Sequence, residues 1–431
     1  MKQNIRTAML AAGLAAMSPV VVQAQETLRI AVPGFLTGGA AASMGVPAQN
    51  GAEIIVDAIN NGTLPAPYNS KGLAGAKIEV EFIDEAGGNN KQVSEFRNLV
   101  QKRGFNVVVG YVSSGTCQAI APVAEELKTL TVFTICGTPR IFEEGLKKYV
   151  FRTQMLATAE AVAAARYVHE VLPNLKSYTG INQNYAWGQD SWNDFVAAMS
   201  KLSSAKAADT PLWPKLSQGQ YASEISALQL SNSELIHSSL WGSDIDSFIN
   251  QGKGRGIFAS SKVLLTMGGS EAALQFGDKM PKNVIVGSRG PYGLMAKGIE
   301  TPLNRWFTAE FKKRYGKLPP SPAYQTAAGL LAVKKSYDTA AKKAGRFPST
   351  DEVITAFEGM TFDAITTPIT MALSNGHQAI YDMSYGETDI DPASSEIIVK
   401  NLKTYAASCI NPPDKISSEE WLRSGLSPKC P

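Results

Sequence analysis

Histidine and cysteine are scarce in this chain of 431 residues, which contains three histidines and four cysteines. The sequence has no CxxC and no HExxH, two spacings by which such residues commonly form a zinc site. His169, His237 and His377 lie in segments with the patterns of a helix, a strand and a hairpin. The G-x-S-x-G element of a serine hydrolase is also missing. We therefore expect no metal, no cofactor and no catalytic centre.

Charge of a single sign is nowhere concentrated. The formal net charge is +3 and 18% of the residues are charged, without a long run of like charges. No stripe of basic and aromatic residues is present, so a nucleic-acid partner is not expected. The glycine-rich stretch 252–256 resembles a phosphate loop in composition. It follows a predicted helix rather than a strand, so we interpret it as a surface turn.

Long apolar runs are missing except near the amino terminus. Lys2 and Arg6 precede an apolar segment, Ala8–Val22, and Ala24 closes a Val-Gln-Ala sequence suited to cleavage. This order of basic, apolar and small residues is typical of a secretory signal peptide, which we predict over residues 1–24. A membrane anchor is the alternative, but the segment is short and is interrupted by serine and proline. No cysteine follows the cleavage site, so we expect no lipid anchor there. Because no later stretch is long and apolar enough to span a bilayer, we expect a soluble exported protein.

The four cysteines are informative in an exported chain, since an even number in an oxidising compartment indicates disulfides. Cys117 and Cys136 belong to one predicted β-α-β unit and lie at the same edge of it. Cys409 and Cys430 bracket the carboxyl-terminal tail. We therefore predict the local pairs Cys117–Cys136 and Cys409–Cys430, with buried free thiols as the alternative.

Strands and helices alternate along most of the chain, which predicts parallel, doubly wound α/β sheets. In the first half the predicted strands, separated by segments of helical periodicity, are 28–32, 77–83, 107–109 and 130–135. A second set begins near residue 152, and its predicted strands are 177–181, 235–239, 262–266 and 283–288. The length of the chain and its 44% hydrophobic content suit two domains.

Two polar loops follow neighbouring predicted strands in the first half. A Ser-Ser-Gly-Thr cluster opens the helix after the strand at 107–109, and a Cys-Gly-Thr sequence follows the strand at 130–135. Open α/β sheets bind ligands at the carboxyl ends of their strands, and a helix amino terminus offers unpaired N–H groups to an anion. The loops are a candidate carboxylate site, with helix capping as the alternative. Its residues are Ser114, Gly115, Thr116, Cys136, Gly137 and Thr138.

Loops in the second half carry aromatic and acidic side chains in equivalent positions after predicted strands. They supply a second group of candidate ligand-binding residues, namely Tyr185, Trp187, Trp241, Asp244, Ser270 and Glu271. Aromatic faces can bind the body of a small ligand. Packing between lobes is the alternative interpretation for each aromatic residue.

In their order and spacing, these segments resemble the periplasmic solute-binding proteins of ABC transporters, of the branched-chain amino acid-binding type. The similar segments are LRIAVPGFLTG, GYVSSGTCQAIAPVAEEL, TVFTICGTPRIFEE, NQNYAWGQD, SSLWGSDIDSFI, LTMGGSEA and FDAITTPITMALSNGHQA. The resemblance implies two α/β lobes joined by three crossovers, the type I arrangement. The implied first lobe is 25–153 plus 288–370, and the implied second lobe with the tail is 154–287 plus 371–431.

The resemblance also assigns roles to residues in both lobes. The carboxylate-binding serine of the family aligns with Ser114, and the following loop aligns with Cys136–Thr138. The aromatic loop of the second lobe aligns with Tyr185–Gly188, and a further aromatic contact falls at or near Trp241.

The acid that binds a ligand ammonium group in the family falls near Ser270 and Glu271, and Asp244 is an alternative. The implied function is a non-enzymatic, monomeric periplasmic receptor for an amino acid or a small carboxylate, aromatic acids included. It would close its lobes on the solute and deliver it to the permease of an ABC importer. A sensory receptor domain of the same fold is one alternative. An exported enzyme with Cys136 as nucleophile is another.

Overall fold

The computed structural model describes residues 27–427 and residue 430. The predicted signal peptide lies outside these residues. The described chain forms two lobes, each built on one mixed and mostly parallel sheet with helices packed against it. This arrangement confirms the predicted fold class of two doubly wound α/β lobes.

The described residues of the first lobe form an eight-stranded sheet. Its strands are β1 (Thr27–Gly34), β2 (Lys77–Asp84), β3 (Val107–Gly110), β4 (Leu130–Phe133), β5 (Val150–Arg152), β11 (Thr361–Asp363), β12 (Pro368–Leu373) and β13 (Gln378–Ile380). Their spatial order is β11-β12-β13-β5-β4-β3-β1-β2, and β12 pairs antiparallel with both of its neighbours. All residues of β3 are buried, as expected for a central parallel strand covered on both faces.

In the second lobe the described residues form a seven-stranded sheet. Its strands are β6 (Ser177–Ile181), β7 (Lys206–Ala207), β8 (Leu235–Ser238), β9 (Lys262–Leu265), β10 (Ile285–Gly287), β14 (Met383–Ile390) and β15 (Ile397–Tyr405). Their spatial order is β15-β14-β10-β9-β8-β6-β7. In both sheets the order of the parallel strands reverses once, between β1 and β3 and between β6 and β8. Such a reversal is a topological switch point, where open α/β sheets bind ligands.

The helices of the first lobe come from two separate parts of the chain. They are α1 (Val46–Asn61), α2 (Asn89–Gln101), α3 (Ser114–Glu126), α4 (Arg140–Glu143), α11 (Pro302–Tyr315), α12 (Ser321–Ala344) and α13 (Thr350–Phe357). The α1 helix packs closely on α12, because a Cβ atom at Gly51 would collide with the backbone of Ala323. A residue-51 side chain would therefore force the two helices apart.

The helices of the second lobe likewise include a late segment of the chain. They are α5 (Ala157–Val171), α6 (Ala186–Leu202), α7 (Ala222–Leu230), α8 (Ser243–Gly254), α9 (Ile257–Ser260), α10 (Gly269–Phe276), α14 (Ala407–Ile410) and α15 (Ser418–Ser424). The tail helices α14 and α15 pack on α5 and α6, respectively. The stretch 252–256, expected to be a surface turn, ends α8 and passes through a left-handed Gly256.

Three connections cross between the lobes within the described residues. They run from β5 to α5, from β10 to α11 and from β13 to β14. The predicted divisions at 153/154 and 287/288 fall in the first two connections. The predicted division at residue 370 falls inside β12, and the first sheet continues to Ile380, so this division is about ten residues too early. Periodicity identifies strands in this region but does not say which sheet each strand joins.

Both predicted cysteine pairs are disulfide-bonded. Cys117 and Cys136 join the start of α3 to the loop after β4, with Cα atoms 6.6 Å apart. Cys409 and Cys430 have Cα atoms 5.4 Å apart. The first disulfide therefore ties together the two loops of the predicted carboxylate site, and the second fastens the tail.

Candidate functional site

The candidate site lies between the lobes, where loops at the carboxyl ends of both sheets meet. Ser243 N donates to Gly39 O across the cleft at 2.8 Å. The Thr138 hydroxyl donates to Asp190 Oδ2 at 2.6 Å, and Arg140 Nη2 lies 2.6 Å from Asp190 Oδ1. These bonds connect the first lobe to the second, so the two lobes are in direct contact across the cleft.

A chamber of about 320 Å³ opens beside the switch points of the two sheets, and we call it the outer chamber. Phe35 and Trp241 approach each other from opposite lobes, with ring centroids 5.9 Å apart. Trp241 Nε1 donates to the Tyr185 hydroxyl at 2.9 Å. Glu85 and Asp244 also line the chamber, which therefore combines aromatic and acidic side chains.

Glu85 is a buried carboxylate directly after β2, with 1% of its surface exposed. Its Oε2 accepts the Val112 N–H at 2.8 Å, and its Oε1 accepts the Ser113 N–H at 2.9 Å. Burial raises the pKa of Glu85 to about 7, although these two N–H groups oppose the change. The carboxyl group therefore holds the loop after β3 in place and changes its charge near neutral pH.

The two loops predicted to bind a carboxylate are brought together, and their hydrogen-bond donors already have partners. Ser114 Oγ accepts the N–H groups of Gly137 and Thr138, at 3.2 and 3.3 Å. The Thr138 hydroxyl is bound to Asp190 of the other lobe. A ligand carboxylate would have to accept the Ser114 hydroxyl proton or displace one of these contacts.

The remaining residues of these loops have structural contacts. Thr116 N donates to Ser113 Oγ at 3.4 Å, which is the N-cap bond of α3. Gly115 lies in the first turn of the same helix. Cys136 is bonded to Cys117, so Cys136 has no free thiol and cannot be the nucleophile of the enzyme alternative. The helix-capping alternative thus describes part of this region correctly.

Trp187 is a cleft residue, but it is 1% exposed and packs as an interior side chain. Its Nε1 donates to Ser239 O at 3.1 Å. It belongs to an apolar cluster formed by both lobes, whose buried members include Met44, Ile135, Trp241 and Met267. With the lobes in contact, the packing alternative applies to Trp187, whereas Tyr185 is only half-buried.

Arg289 lies in the connection after β10, and the sequence interpretation did not select it. It is 2% exposed, and its backbone φ of +40° is unusual for a residue other than glycine. Its Nε donates to Glu160 Oε2 at 2.7 Å, and its Nη1 donates to Ile135 O. Its guanidinium carbon lies 4.0 Å from the centre of the Trp187 ring. We call Gly137, Glu160, Trp187 and Arg289 the inner end of the cleft.

The candidate acids are occupied by contacts within the protein. Asp244 Oδ2 accepts Gln183 Nε2 at 2.6 Å and the Ser217 N–H at 2.7 Å. Glu271 Oε1 accepts the Ser321 N–H at 3.1 Å, at the amino terminus of α12. Burial raises the pKa of Glu271. Asp244 therefore anchors a loop beside the outer chamber, and Glu271 faces a helix of the other lobe.

A small cavity of about 10 Å³, roughly the space of one water molecule, separates Glu271 from Arg289. Ser321 also lines it. The hydroxyl of fully buried Ser270 has no hydrogen-bond partner within the described part of the chain. The predicted residues Ser270 and Glu271 therefore lie at the inner end and Asp244 at the outer chamber, so these alternatives occupy different places.

Sequence interpretation missed Glu85 and Arg289 for the same reason. Glu85 directly follows β2 and Arg289 stands two residues after the end of β10, so both obey the rule that identified the loops after β3 and β4. A charged residue after an apolar strand was the available signal. Neither residue stands in a serine, threonine or aromatic cluster, and such clusters guided the selection.

The fold and the interlobe site define a two-lobed binding protein. A family model described as periplasmic binding protein matches residues 27–393, and the chain belongs to this family. The resemblance stated from the sequence is therefore confirmed. Within the described residues, no helix is long and apolar enough to cross a membrane, and no cluster of three or more His, Cys, Asp or Glu side chains is placed to hold a metal ion.

Two curated relatives share part of the chain. A Leu/Ile/Val-binding protein of Rhizobium johnstonii is 33% identical over 196 residues, which cover 45% of this chain and 48% of that protein. A Leu/Ile/Val-binding protein homolog of Brucella melitensis is 30% identical over 178 residues, which cover 41% of this chain and 45% of that protein. The chain thus matches about half the length of each relative.

Solved structures resemble the chain over most of its length. A solute-binding protein of an ABC transporter from Rhodopseudomonas palustris, in complex with 3,4-dihydroxybenzoic acid, has a TM-score of 0.74 at 19% identity and covers 88% of this chain and 98% of its own. The leucine-binding protein LivK of Thermotoga maritima has a TM-score of 0.70 at 18% identity, covering 87% and 98%. At these identities the likeness shows the fold alone.

Proposed function

We propose that this protein is a non-enzymatic, extracytoplasmic solute receptor of an ABC importer. It binds an amino acid or a small carboxylate, aromatic acids included, between its lobes. The observation that carries the proposal is the position of the cleft, at which the switch points of both sheets face each other. This is the place where two lobes can enclose a small molecule with loops from both sides.

The chemistry of the cleft supports a ligand with an apolar body and a polar end. Phe35, Tyr185 and Trp241 offer aromatic surface beside the outer chamber. The Ser114 hydroxyl, at the amino terminus of α3, can donate its proton to a ligand while its oxygen accepts the N–H groups of Gly137 and Thr138. Relatives named for leucine, isoleucine and valine, and a structural neighbour in complex with an aromatic acid, support the same range of solutes.

Binding would involve opening and closing of the lobes, followed by delivery to a membrane permease. The bonds from Ser243 to Gly39 and from Thr138 to Asp190 are the contacts that an opened form would break. Closure exchanges water in the cleft for ligand. The family relationship supports a permease as the partner.

A thermal-shift screen of the purified protein tests the proposal. The panel contains L-leucine, L-isoleucine, L-valine, benzoate, 3,4-dihydroxybenzoate and the corresponding amides. A ligand present at 100 times its dissociation constant stabilises the folded state by about 2.7 kcal/mol, which gives a clear rise in melting temperature. Small-angle scattering with the binding solute should then show a more compact particle. No stabilisation by any acid in the panel would contradict the proposed class of solute.

A further inference from the structure

Arg289 is a buried cation with an unused hydrogen-bond donor. Its Nε and Nη1 bind Glu160 and the Ile135 carbonyl, but Nη2 has no partner in the described part of the chain. The opposing carboxylate is also incompletely satisfied, because Glu160 Oε1 lacks a partner there as well. Buried polar groups are almost always hydrogen-bonded, so an unpartnered guanidinium nitrogen indicates a place for an acceptor.

The unused nitrogen is directed at the predicted carboxylate loop. A Cβ atom at Gly137 would collide with Arg289 Nη2 and approach the Trp187 ring. Only glycine leaves room for the guanidinium at this position. Nη2 thus lies beside the loop whose N–H groups are held by Ser114.

A second buried arginine, Arg152, supports the same loop. Arg152 is 1% exposed, and its Nη1 donates to Thr138 O at 2.6 Å. Its Nε donates to the neutral side chain of Gln378, with 2.6 Å to Oε1. Burial lowers the pKa of Arg152 to about 9, and the charge of Arg289 contributes to this change. Two guanidinium groups therefore lie beside the loop Cys136–Thr138, close to the carboxylates of Glu160 and Asp190.

We propose that Arg289 is a ligand-binding residue that receives the carboxylate of the solute through Nη2, beside Gly137. The assignment rests on the proposed function and specifies where in the cleft the anionic group of the solute binds. Trp187 holds the guanidinium plane in place, and Glu160 fixes its Nε side. Ser114 and Thr138 then line the subsite, and Arg289 provides its positive charge.

The test compares acids with their neutral amides in the wild type and in Arg289→Gln. The probes are benzoate with benzamide and L-leucine with L-leucinamide, measured by titration calorimetry. A charge-assisted hydrogen bond lost from a desolvated site lowers affinity by about tenfold to a hundredfold, so acid binding should fall by that factor in the variant. Amide binding should change by less than about threefold, because the amide forms no charged pair with Arg289.

A matched variant separates ligand binding from a role in holding the lobes together. Arg140→Gln also removes an arginine that bridges the lobes, through Asp190, and should affect acids and amides equally. Since Arg289→Gln leaves Glu160 buried without its partner, the double variant Arg289→Gln/Glu160→Gln removes both charges and serves if the single variant does not fold. Arg289→Gln and the double variant should show the same selective loss of affinity for the acid.

Three results would overturn the assignment. Unchanged affinity for the acid in Arg289→Gln would place the carboxylate elsewhere. Equal losses for acid and amide would make Arg289 only a contact between lobes. Failure of the wild type to bind either acid would contradict the proposed function together with this inference, whereas the first two results leave the proposed function intact.

Discussion

Two neighbouring regions of the cleft, the predicted carboxylate loops and the inner end around Arg289, differ in how their polar groups are satisfied. In the loops, Ser114 Oγ accepts two backbone N–H groups and the Thr138 hydroxyl is bound to Asp190. At the inner end, Arg289 Nη2, in the connection between the lobes, and the nearby Ser270 hydroxyl have no partner in the described part of the chain. Both regions are buried, so exposure to water does not account for the difference.

The difference separates groups that shape the cleft from groups that can bind a ligand. A buried polar group left without a partner costs about 1–3 kcal/mol, and a charged one costs more. Satisfied groups maintain the loops whether or not a solute is present. Unsatisfied groups gain the most free energy from a hydrogen bond to a bound solute. Arg289 Nη2, which is charged, is therefore the stronger candidate for a ligand contact.

Trp187→Ala is expected to cause the largest loss of unfolding free energy. Trp187 is 1% exposed and supports Arg289, and truncation of a buried tryptophan costs about 3–5 kcal/mol of unfolding free energy. Urea unfolding measures this cost, and calorimetry should show weaker binding of acids as well. Trp306→Ala, at a half-buried position outside the cleft, is the control and should leave binding unchanged. A Trp187→Ala protein of normal stability would mean that the cleft is open in solution.

Removing the disulfide beside the predicted carboxylate loops is the second prediction. Cys117 and Cys136 are separated by 19 residues, and a cross-link closing such a loop contributes about 3 kcal/mol. Cys117→Ala/Cys136→Ala should lose that stability in urea unfolding and should bind acids more weakly. Cys409→Ala/Cys430→Ala opens a loop of similar size, 21 residues, away from the cleft. The second variant should lose similar stability with normal affinity, and reduced affinity in both would mean a general effect of unfolding.

Ser114→Ala is expected to have a smaller effect on stability, of about 1–3 kcal/mol, because it leaves the buried N–H groups of Gly137 and Thr138 without an acceptor. Chemical unfolding measures the loss. Affinity for the acid found in the screen should fall by about tenfold to a hundredfold if Ser114 also contacts the carboxylate. Ser113→Ala, which removes the neighbouring N-cap, is the matched control. A larger loss of affinity in Ser114→Ala than in Arg289→Gln would make Ser114, and not Arg289, the main contact of the carboxylate.

The smallest expected effect is a change in the pH dependence of stability at Glu85. Burial raises its pKa from 4.5 to about 7 in the folded state. Its contribution to stability is therefore complete below about pH 4.5 and is lost as the pH rises through about 7. As the pH rises between these values, the melting temperature of the wild type should fall more than that of Glu85→Gln. The variant is less stable overall, because glutamine offers only one oxygen to the N–H groups of Val112 and Ser113.

Glu352 provides a control of opposite sign. A hydrogen bond from Arg346 lowers its pKa from 4.5 to about 2, so its contribution is present above pH 4.5 and is lost as the pH falls through about 2. Glu352→Gln should change the slope of the melting profile only on the acid side, below about pH 4.5. Parallel profiles for the wild type and Glu85→Gln would show that Glu85 does not ionise in the neutral range.

Much of the fold could be predicted from sequence because its signals are local. Apolar runs such as Val107–Val109 and the helical periodicity after Ser113 each depend on a few neighbouring residues. The cysteine pairs were also local, since each closes a loop of about twenty residues. The division at residue 370 was wrong because membership of a sheet depends on pairing between distant strands. The hairpin β12–β13 joins β5, which lies more than two hundred residues earlier.

The sequence predicted which loops form the site but not its charged residues Glu85 and Arg289. The loops around Ser114, Thr138, Trp187 and Trp241 do meet, because carboxyl ends of parallel strands share one edge of a sheet. Which donors remain unpaired could not be predicted. That depends on side chains of the opposite lobe, as when Asp190 takes the Thr138 hydroxyl.

By itself the sequence determined two α/β lobes, the family, the disulfide pairs and the loops that face the cleft, because these follow from local periodicity and from segments in a fixed order. Only the tertiary structure decided the roles within the cleft. Ser114 Oγ accepts two backbone N–H groups of the neighbouring loop, Trp187 is an interior side chain, and Arg289 is a buried cation beside Gly137. A hydrogen bond or a charge is satisfied by whatever lies within about 3 Å, and that neighbour comes from any part of the chain.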